Sequence, residues 1–341
     1  MAEEKNSEIE ESQKSKTVYD DAFKSMSSNC KDLFIPVVNE MFGEKYSKNA
    51  EMKILSNEYY PNNPDGDKES KRADMVFTLS DGGEAKKYHV ECQSTVDKTM
   101  IVRIFEYATQ IALDKQTLKD LLKPSSDNIT VKFPRSAVLY LRSRKTTPDS
   151  FTINVEISEQ TIPYKIPIMK AKDYSVDKIF EKDLLFLIPF HLFALEKKFS
   201  EYNDDETKLF ELRAEYEKIA DKLNKLYEEG KLKVNDFLEI FGWTKQVAKQ
   251  LAKNYKNVSE GVGKAMSGRV IRLPETEVYY NGFDKGLAQG IEQGLEQGRA
   301  EMAKQIEIIE LENKRKDKEM EILRKKLALA ESKLKSRGAG R

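Results

Sequence analysis

Arg72-Ala-Asp-Met-Val-Phe-Thr-Leu79, then Asp81-Gly-Gly83, then Tyr88-His-Val-Glu-Cys-Gln93 is the stretch that decides how this chain folds. Two runs of strand-forming residues flank a Gly-Gly pair, the pattern of a β-hairpin. With Gly82-Gly83 as the loop, paired residue numbers sum to 165. Asp74 then faces Glu91, and Arg72 faces Gln93. Cross-strand partners share a face, with Cα atoms roughly 4.5–5.5 Å apart. In that register Ala73, Met75, Phe77 and Leu79 lie with Tyr88, Val90 and Cys92 on a face for the core. Asp74, Val76, Thr78, His89, Glu91 and Gln93 occupy the other. Two carboxylates held this way can share a divalent metal, with oxygens at about 2.0–2.1 Å for Mg²⁺. A solvent-facing strand with ordinary surface acids fits the same spacing.

Around the hairpin the order is helix, strand, hairpin, helix, strand, which suits an α/β fold with a mixed sheet flanked by helices. Tyr19, Phe23, Met26, Cys30, Leu33 and Val37 recur at helical spacing, with Pro36 expected to kink or split that helix. Residues 51–60 suit a strand. Residues 97–114 suit a helix with a core face of Ile101, Ile104, Phe105, Ala108 and Ile111. On its polar side Arg103, Tyr107 and Gln110 stack at spacings of four and three. Strands are expected at Ser136–Leu141, Phe151–Ile157 and Ile162–Ile168. Two helices follow near 204–229 and 234–255, with Gly230 as a stop between them.

The 341 residues are 39% hydrophobic and 34% charged, with a formal net charge of zero. There is ample chain for a packed core. Global basicity does not announce nucleic acid, so any DNA contact must come from local patches. Cys30 and Cys92 give no disulfide framework, and His89 and His191 give no zinc cluster. Residues 1–16 are polar, without the apolar core of a signal peptide. The apolar run Leu184–Leu195, interrupted by Pro189 and His191, is too short for a bilayer and reads as a buried helix. A cytoplasmic protein without membrane contact is expected.

Further motifs give the hairpin a context. Asp21-Ala-Phe-Lys24 and Leu33-Phe-Ile-Pro-Val-Val-Asn-Glu40 precede it. His89-Val-Glu-Cys-Gln-Ser94 leads to Met100-Ile-Val-Arg103 and Tyr107, then Val138-Leu-Tyr-Leu-Arg142 and Leu185-Phe-Leu-Ile-Pro189. From about Asp20 to Gly298 the chain resembles the bacterial recombination-promoting nuclease (Rpn-like) group, also described as PD-(D/E)XK nuclease family transposases. The resemblance implies a restriction-endonuclease-like fold and metal-dependent hydrolysis of DNA phosphodiesters, in recombination or mobile-element processing. Asp74, Glu91 and Gln93 match its catalytic set, with Gln93 in the usual Lys place. Asp74, Glu91 and the Cys92 backbone carbonyl would hold Mg²⁺ or Mn²⁺. Arg103 and Tyr107 match a following motif that would bind substrate, and Glu40 would be an accessory acid. The alternative is a nuclease-fold DNA-binding or assembly protein that has lost activity.

This gives a polar N-terminal tail (1–18), a nuclease-like domain (19–200) and a helical region (201–280). In the segment 281–298, Gly282, Gly286, Gly290, Gly294 and Gly298 recur every four residues, either for close helix packing or as a flexible connector. In 299–341, Met302, Ile306, Ile309, Asn313, Lys316, Met320, Leu323, Leu327, Ala330 and Leu334 follow a heptad seam. A homo-oligomer through this coiled coil is expected. Thirteen Lys/Arg against eight Asp/Glu make the tail basic.

Overall fold

A computed structural model of the chain describes residues 18–55, 58–59, 71–97, 99–113 and 130–267, with residues 289 and 296. The N-terminal tail, the glycine repeat and the heptad seam lie outside the described residues. Residues to Ile271 form one unit and Arg272–Arg341 a second.

The protein is α/β. Helix α1 (18–29) and helix α2 (Lys31–Phe42) precede strand β1 (Glu51–Ile54). Strands β2 (Glu58–Tyr59) and β3 (Lys71–Arg72) form a small ladder of their own. The hairpin strands are β4 (Met75–Ser80) and β5 (Lys86–Gln93). Helix α3 (Met100–Ala112) then crosses to β6 (Arg135–Tyr140), and β7 (Ser150–Ile157) and β8 (Gln160–Lys170) close the sheet. The order is β1-β4-β5-β6-β8-β7 across six strands. The β5/β6 and β6/β8 pairs are parallel and the other three antiparallel, so the sheet is mixed.

The hairpin register is as expected: Met75 pairs with Val90 and Phe77 with Tyr88, sums of 165 in both cases. The connection is longer than two residues, spanning 81–85. Gly82 has a positive φ of 76°, while the Asp81 carboxylate accepts the Ser47 N–H and hydroxyl, which ties the turn to the segment before β1. The expected Arg72–Gln93 pairing is not formed. The ladder stops at Met75, the chain bends at Asp74, and Arg72 pairs with Glu58 instead.

Both faces of the sheet are covered. On one, Phe34 of α2 meets Phe23, Phe77 and Phe186 with centroids 5.2–5.9 Å apart. On the other, Met100 and Ile104 of α3 pack with Val138, Tyr140, Ile166 and Ile168. Val76, Tyr107, Ile111 and Ala73 form a second cluster there. One expectation is corrected. Ala73 leaves the alternation at the Asp74 bend and joins the α3 side. The face bearing the acids is roofed by α3, as a sheet flanked by helices requires and unlike the alternative of a solvent-facing strand. The first helical segment breaks at Cys30, while Pro36 sits inside α2, where its missing N–H removes a single helix bond.

Past the sheet comes helix α4 (Val176–Glu181), and then a 3-10 turn (Leu185–Phe190) carries the first half of the apolar run, buried as expected but wound more tightly around Pro189. Helices α5 (Leu192–Leu195) and α6 (Phe199–Asp204) are short. Helix α7 (Glu206–Glu228) starts on an Asp205 cap that accepts Thr207 and Lys208 N–H groups. Gly230, at φ 67°, ends it in the left-handed conformation that glycine adopts without strain. Helices α8 (Val234–Leu251) and α9 (Lys256–Ala265) complete the unit. No helix among the described residues is long and apolar enough to cross a membrane.

Candidate active site

Where β4 begins, the ladder loses its regular partner and side chains take over. The Asp74 N–H donates to Glu91 Oε1 at 3.0 Å, and the Cys92 N–H donates to Asp74 Oδ2 at 2.9 Å. The Asp74 backbone thus holds the Glu91 carboxylate, and the Cys92 backbone holds the Asp74 carboxylate, one residue beyond the end of the β4/β5 ladder. Their remaining oxygens make weak contacts only. Asp74 Oδ1 lies 3.3 Å from Lys24 Nζ, and Glu91 Oε2 lies 3.5 Å from Gln93 Nε2. These remaining oxygens, one from each acid, are the ones a hard divalent cation could take while keeping waters. No group of three His, Cys, Asp or Glu side chains suited to a metal occurs among the described residues. A site here would rest on two carboxylates, a backbone carbonyl such as that of Cys92, and water.

Burial makes the pair electrostatically costly. The Asp74 side chain is 12% exposed and that of Glu91 4%. Burial first, and the Glu91 charge second, raise the Asp74 pKa to about 7, while Lys24 and the Cys92 N–H pull it down. Two crowded anions in a desolvated seam are short of positive charge, a deficit that a divalent ion would meet.

Glu91 is held from behind. His89 Nε2 lies 2.8 Å from Glu91 Oε1, and His89 Nδ1 lies 3.1 Å from Ser136 Oγ. A tautomer with hydrogen on Nε2 donates to the carboxylate and accepts the Ser136 hydroxyl. Tyr164 donates in turn to Ser136 Oγ at 2.7 Å. His89 is fully buried, so this chain fixes the Glu91 rotamer from inside the sheet, in the manner of outer partners of metal ligands.

Arg103 reaches the same seam from α3. Its Nη2 lies 3.4 Å from Gln93 Oε1 and 3.7 Å from Asp97 Oδ2, and its Nε is buried without a hydrogen-bond partner. Gln93 therefore bridges Glu91 and Arg103. Tyr107 is not on a polar face: it is 5% exposed and meets His89 edge-to-face at 5.7 Å. Burial pushes its hydroxyl pKa up to about 12. The buried arc of α3 runs through Met100, Ile104, Tyr107, Ala108 and Ile111, one residue round from the expected arc, which had Phe105 in it.

Glu40 is not among the groups gathered here. Its carboxylate accepts Tyr174 Oη at 3.0 Å and Lys182 Nζ at 2.7 Å, which ties α2 to the segment around α4. The Cys92 thiol is buried on the opposite face, its pKa raised by desolvation, so Cys92 meets Asp74 through its backbone. Lys24, which the sequence reading did not bring to this place, arrives from α1. Its only sequence signal is its place in the Asp21-Ala-Phe-Lys24 motif.

No protein-family model, curated protein or solved structure matches this chain.

The site offers two anionic oxygens for a cation, an amide beside them, and one cationic side chain from each of α1 and α3.

Proposed function

We propose that this protein is a divalent-metal-dependent DNA endonuclease of the Rpn-like PD-(D/E)XK kind, using Mg²⁺ or Mn²⁺. The observation that carries the reading is the pair of backbone N–H bonds at the start of β4, from Asp74 to the Glu91 carboxylate and from Cys92 to the Asp74 carboxylate, with Gln93 and Arg103 alongside. A divalent ion would be held by Asp74 Oδ1, Glu91 Oε2 and the Cys92 carbonyl. Such an ion supplies Lewis acidity, lowering the pKa of a water and offsetting charge on the phosphate.

The protein's own groups do the rest. His89 keeps Glu91 in one rotamer, so the ligand needs no reorganisation. The Gln93 amide orients the attacking water, since it can donate and accept but carries no charge. The Arg103 guanidinium, on a side chain 38% exposed, binds a phosphate oxygen. Chain order and the mixed sheet, with α3 crossing between parallel β5 and β6, are compatible with the nuclease fold that the resemblance implies.

The neutral Gln93 in the Lys place favours one other reading, a DNA-binding or assembly protein on an inactive nuclease fold. A plasmid assay separates the two. Purified full-length protein is expected to convert supercoiled plasmid to nicked or linear forms with Mg²⁺ or Mn²⁺ and to leave it intact with EDTA. Folded protein that binds DNA but never cuts it contradicts the endonuclease reading.

A further inference from the structure

Resting on that nuclease reading, the geometry points to Lys24 as the catalytic cation that faces the scissile phosphate, taking the role that Gln93 cannot fill.

Gln93 touches Glu91 and Arg103 only at 3.5 and 3.4 Å, and it has no charge to give. Lys24 Nζ lies 3.3 Å from Asp74 Oδ1, the oxygen assigned above to the metal. The lysine is 40% exposed whereas Asp74 is 12% exposed, which puts the ammonium at the mouth of the seam and the acid behind it. Its backbone is rigidly placed, because Ala22, Phe23 and Met26 of α1 are fully buried. Phe23 packs edge-to-face on Phe34 and Phe186, so α1 belongs to the layer opposite α3. Arg103 reaches the site from the α3 layer. The two cations therefore approach from opposite sides of the sheet, and they bracket the place where the ladder ends.

An ordinary ion pair would explain the Lys24–Asp74 contact by itself. In that case Lys24 props the acid, and removing it weakens metal binding. A phosphate-facing cation behaves in the reverse way. It repels the metal slightly and acts on charge that develops in the transition state. The two roles thus predict opposite signs for metal affinity when the lysine is neutralised.

The test uses the full chain, with Ca²⁺ as the binding probe in titration calorimetry and plasmid cleavage in Mg²⁺ as the rate. Lys24→Gln is expected to bind Ca²⁺ at least as tightly as wild type while its cleavage falls about 100-fold. Lys24→Arg, which keeps the charge, retains most of the rate. Lys24→Gln combined with Gln93→Lys recovers at least about tenfold, because the cation returns to the same seam from β5. The Ca²⁺ titration also reports that each variant is folded at the site. Full-rate cleavage by Lys24→Gln overturns the assignment, as does a fall in Ca²⁺ affinity that parallels the fall in rate. Wild-type protein that binds Ca²⁺ but does not cleave contradicts the nuclease reading itself. Wild-type cleavage matched by Lys24→Gln contradicts the lysine assignment alone.

Discussion

Glu91→Gln lowers DNA cleavage by about 1,000-fold or more, roughly 4 kcal/mol of transition-state stabilisation, with the fold intact. The substitution keeps the side chain's shape, and one amide oxygen still accepts the Asp74 N–H and faces His89. What goes is the negative charge at Oε2, one of the two oxygens available for a cation. Asp74→Ala is expected to lose as much, since it removes the other. The double variant falls no further than either single one, because a divalent site that has lost one carboxylate is already empty at working metal concentrations, and groups that act as a unit are non-additive. Plasmid nicking rates across Mg²⁺ concentrations make the check. Either single variant cutting at the wild-type rate contradicts the assignment of that residue.

Asp74→Asn stabilises the metal-free protein at pH 8, by on the order of 2 kcal/mol. The direction follows from linkage. The Asp74 pKa is raised from 3.8 to about 7 by burial and by Glu91. Between those values the unfolded chain has released its proton and the folded chain still holds one. Stability therefore falls as pH rises through this window, and the full penalty stands above pH 7. Asparagine stays neutral at both pH values and still offers an oxygen to the Cys92 N–H. The complete pKa difference would give about 4 kcal/mol, and the lost contact to the half-exposed Lys24 together with solvent screening reduces it by roughly half. Urea unfolding with EDTA at pH 5 and pH 8 reads the effect. The variant's advantage should be large at pH 8 and shrink at pH 5. Excess Mg²⁺ should raise the midpoint of the wild type and leave that of the variant unmoved. An Asn variant less stable than wild type at pH 8 would sink the picture of a strained, cation-starved pair.

The hairpin was legible in the sequence because pairing depends on the midpoint of the connection and not on its length. Gly82-Gly83 marks that midpoint even though the turn spans 81–85, so the register from Met75 to Leu79 is the expected one, while Asp74, one residue past the ladder, meets Glu91 through the latter's side chain. The sheet strands and the later helices were legible from periodicity for the same local reason. The surroundings of the acids were not. Alternation distinguishes two faces but cannot say whether a helix will roof the polar one, and α3 does. Tyr107 was placed with Arg103 because its hydroxyl reads as polar, yet its ring is what fills the space over His89. Glu40 sits late in α2 and is claimed by Tyr174 and Lys182, 134 and 142 residues further along. Lys24 lies fifty positions before Asp74, and only the packing of Phe23 and Phe34 delivers it. Contacts of that range leave no local pattern to read.

The most direct measurement is an anomalous difference map from a crystal of the full chain soaked in Mn²⁺. The account predicts one strong peak between Asp74 and Glu91, with Asp74 Oδ1 and Glu91 Oε2 at coordination distance and Lys24 swung off the aspartate. A map with no peak there, in crystals where Mn²⁺ orders elsewhere or where Lys24 still grips Asp74, would contradict it.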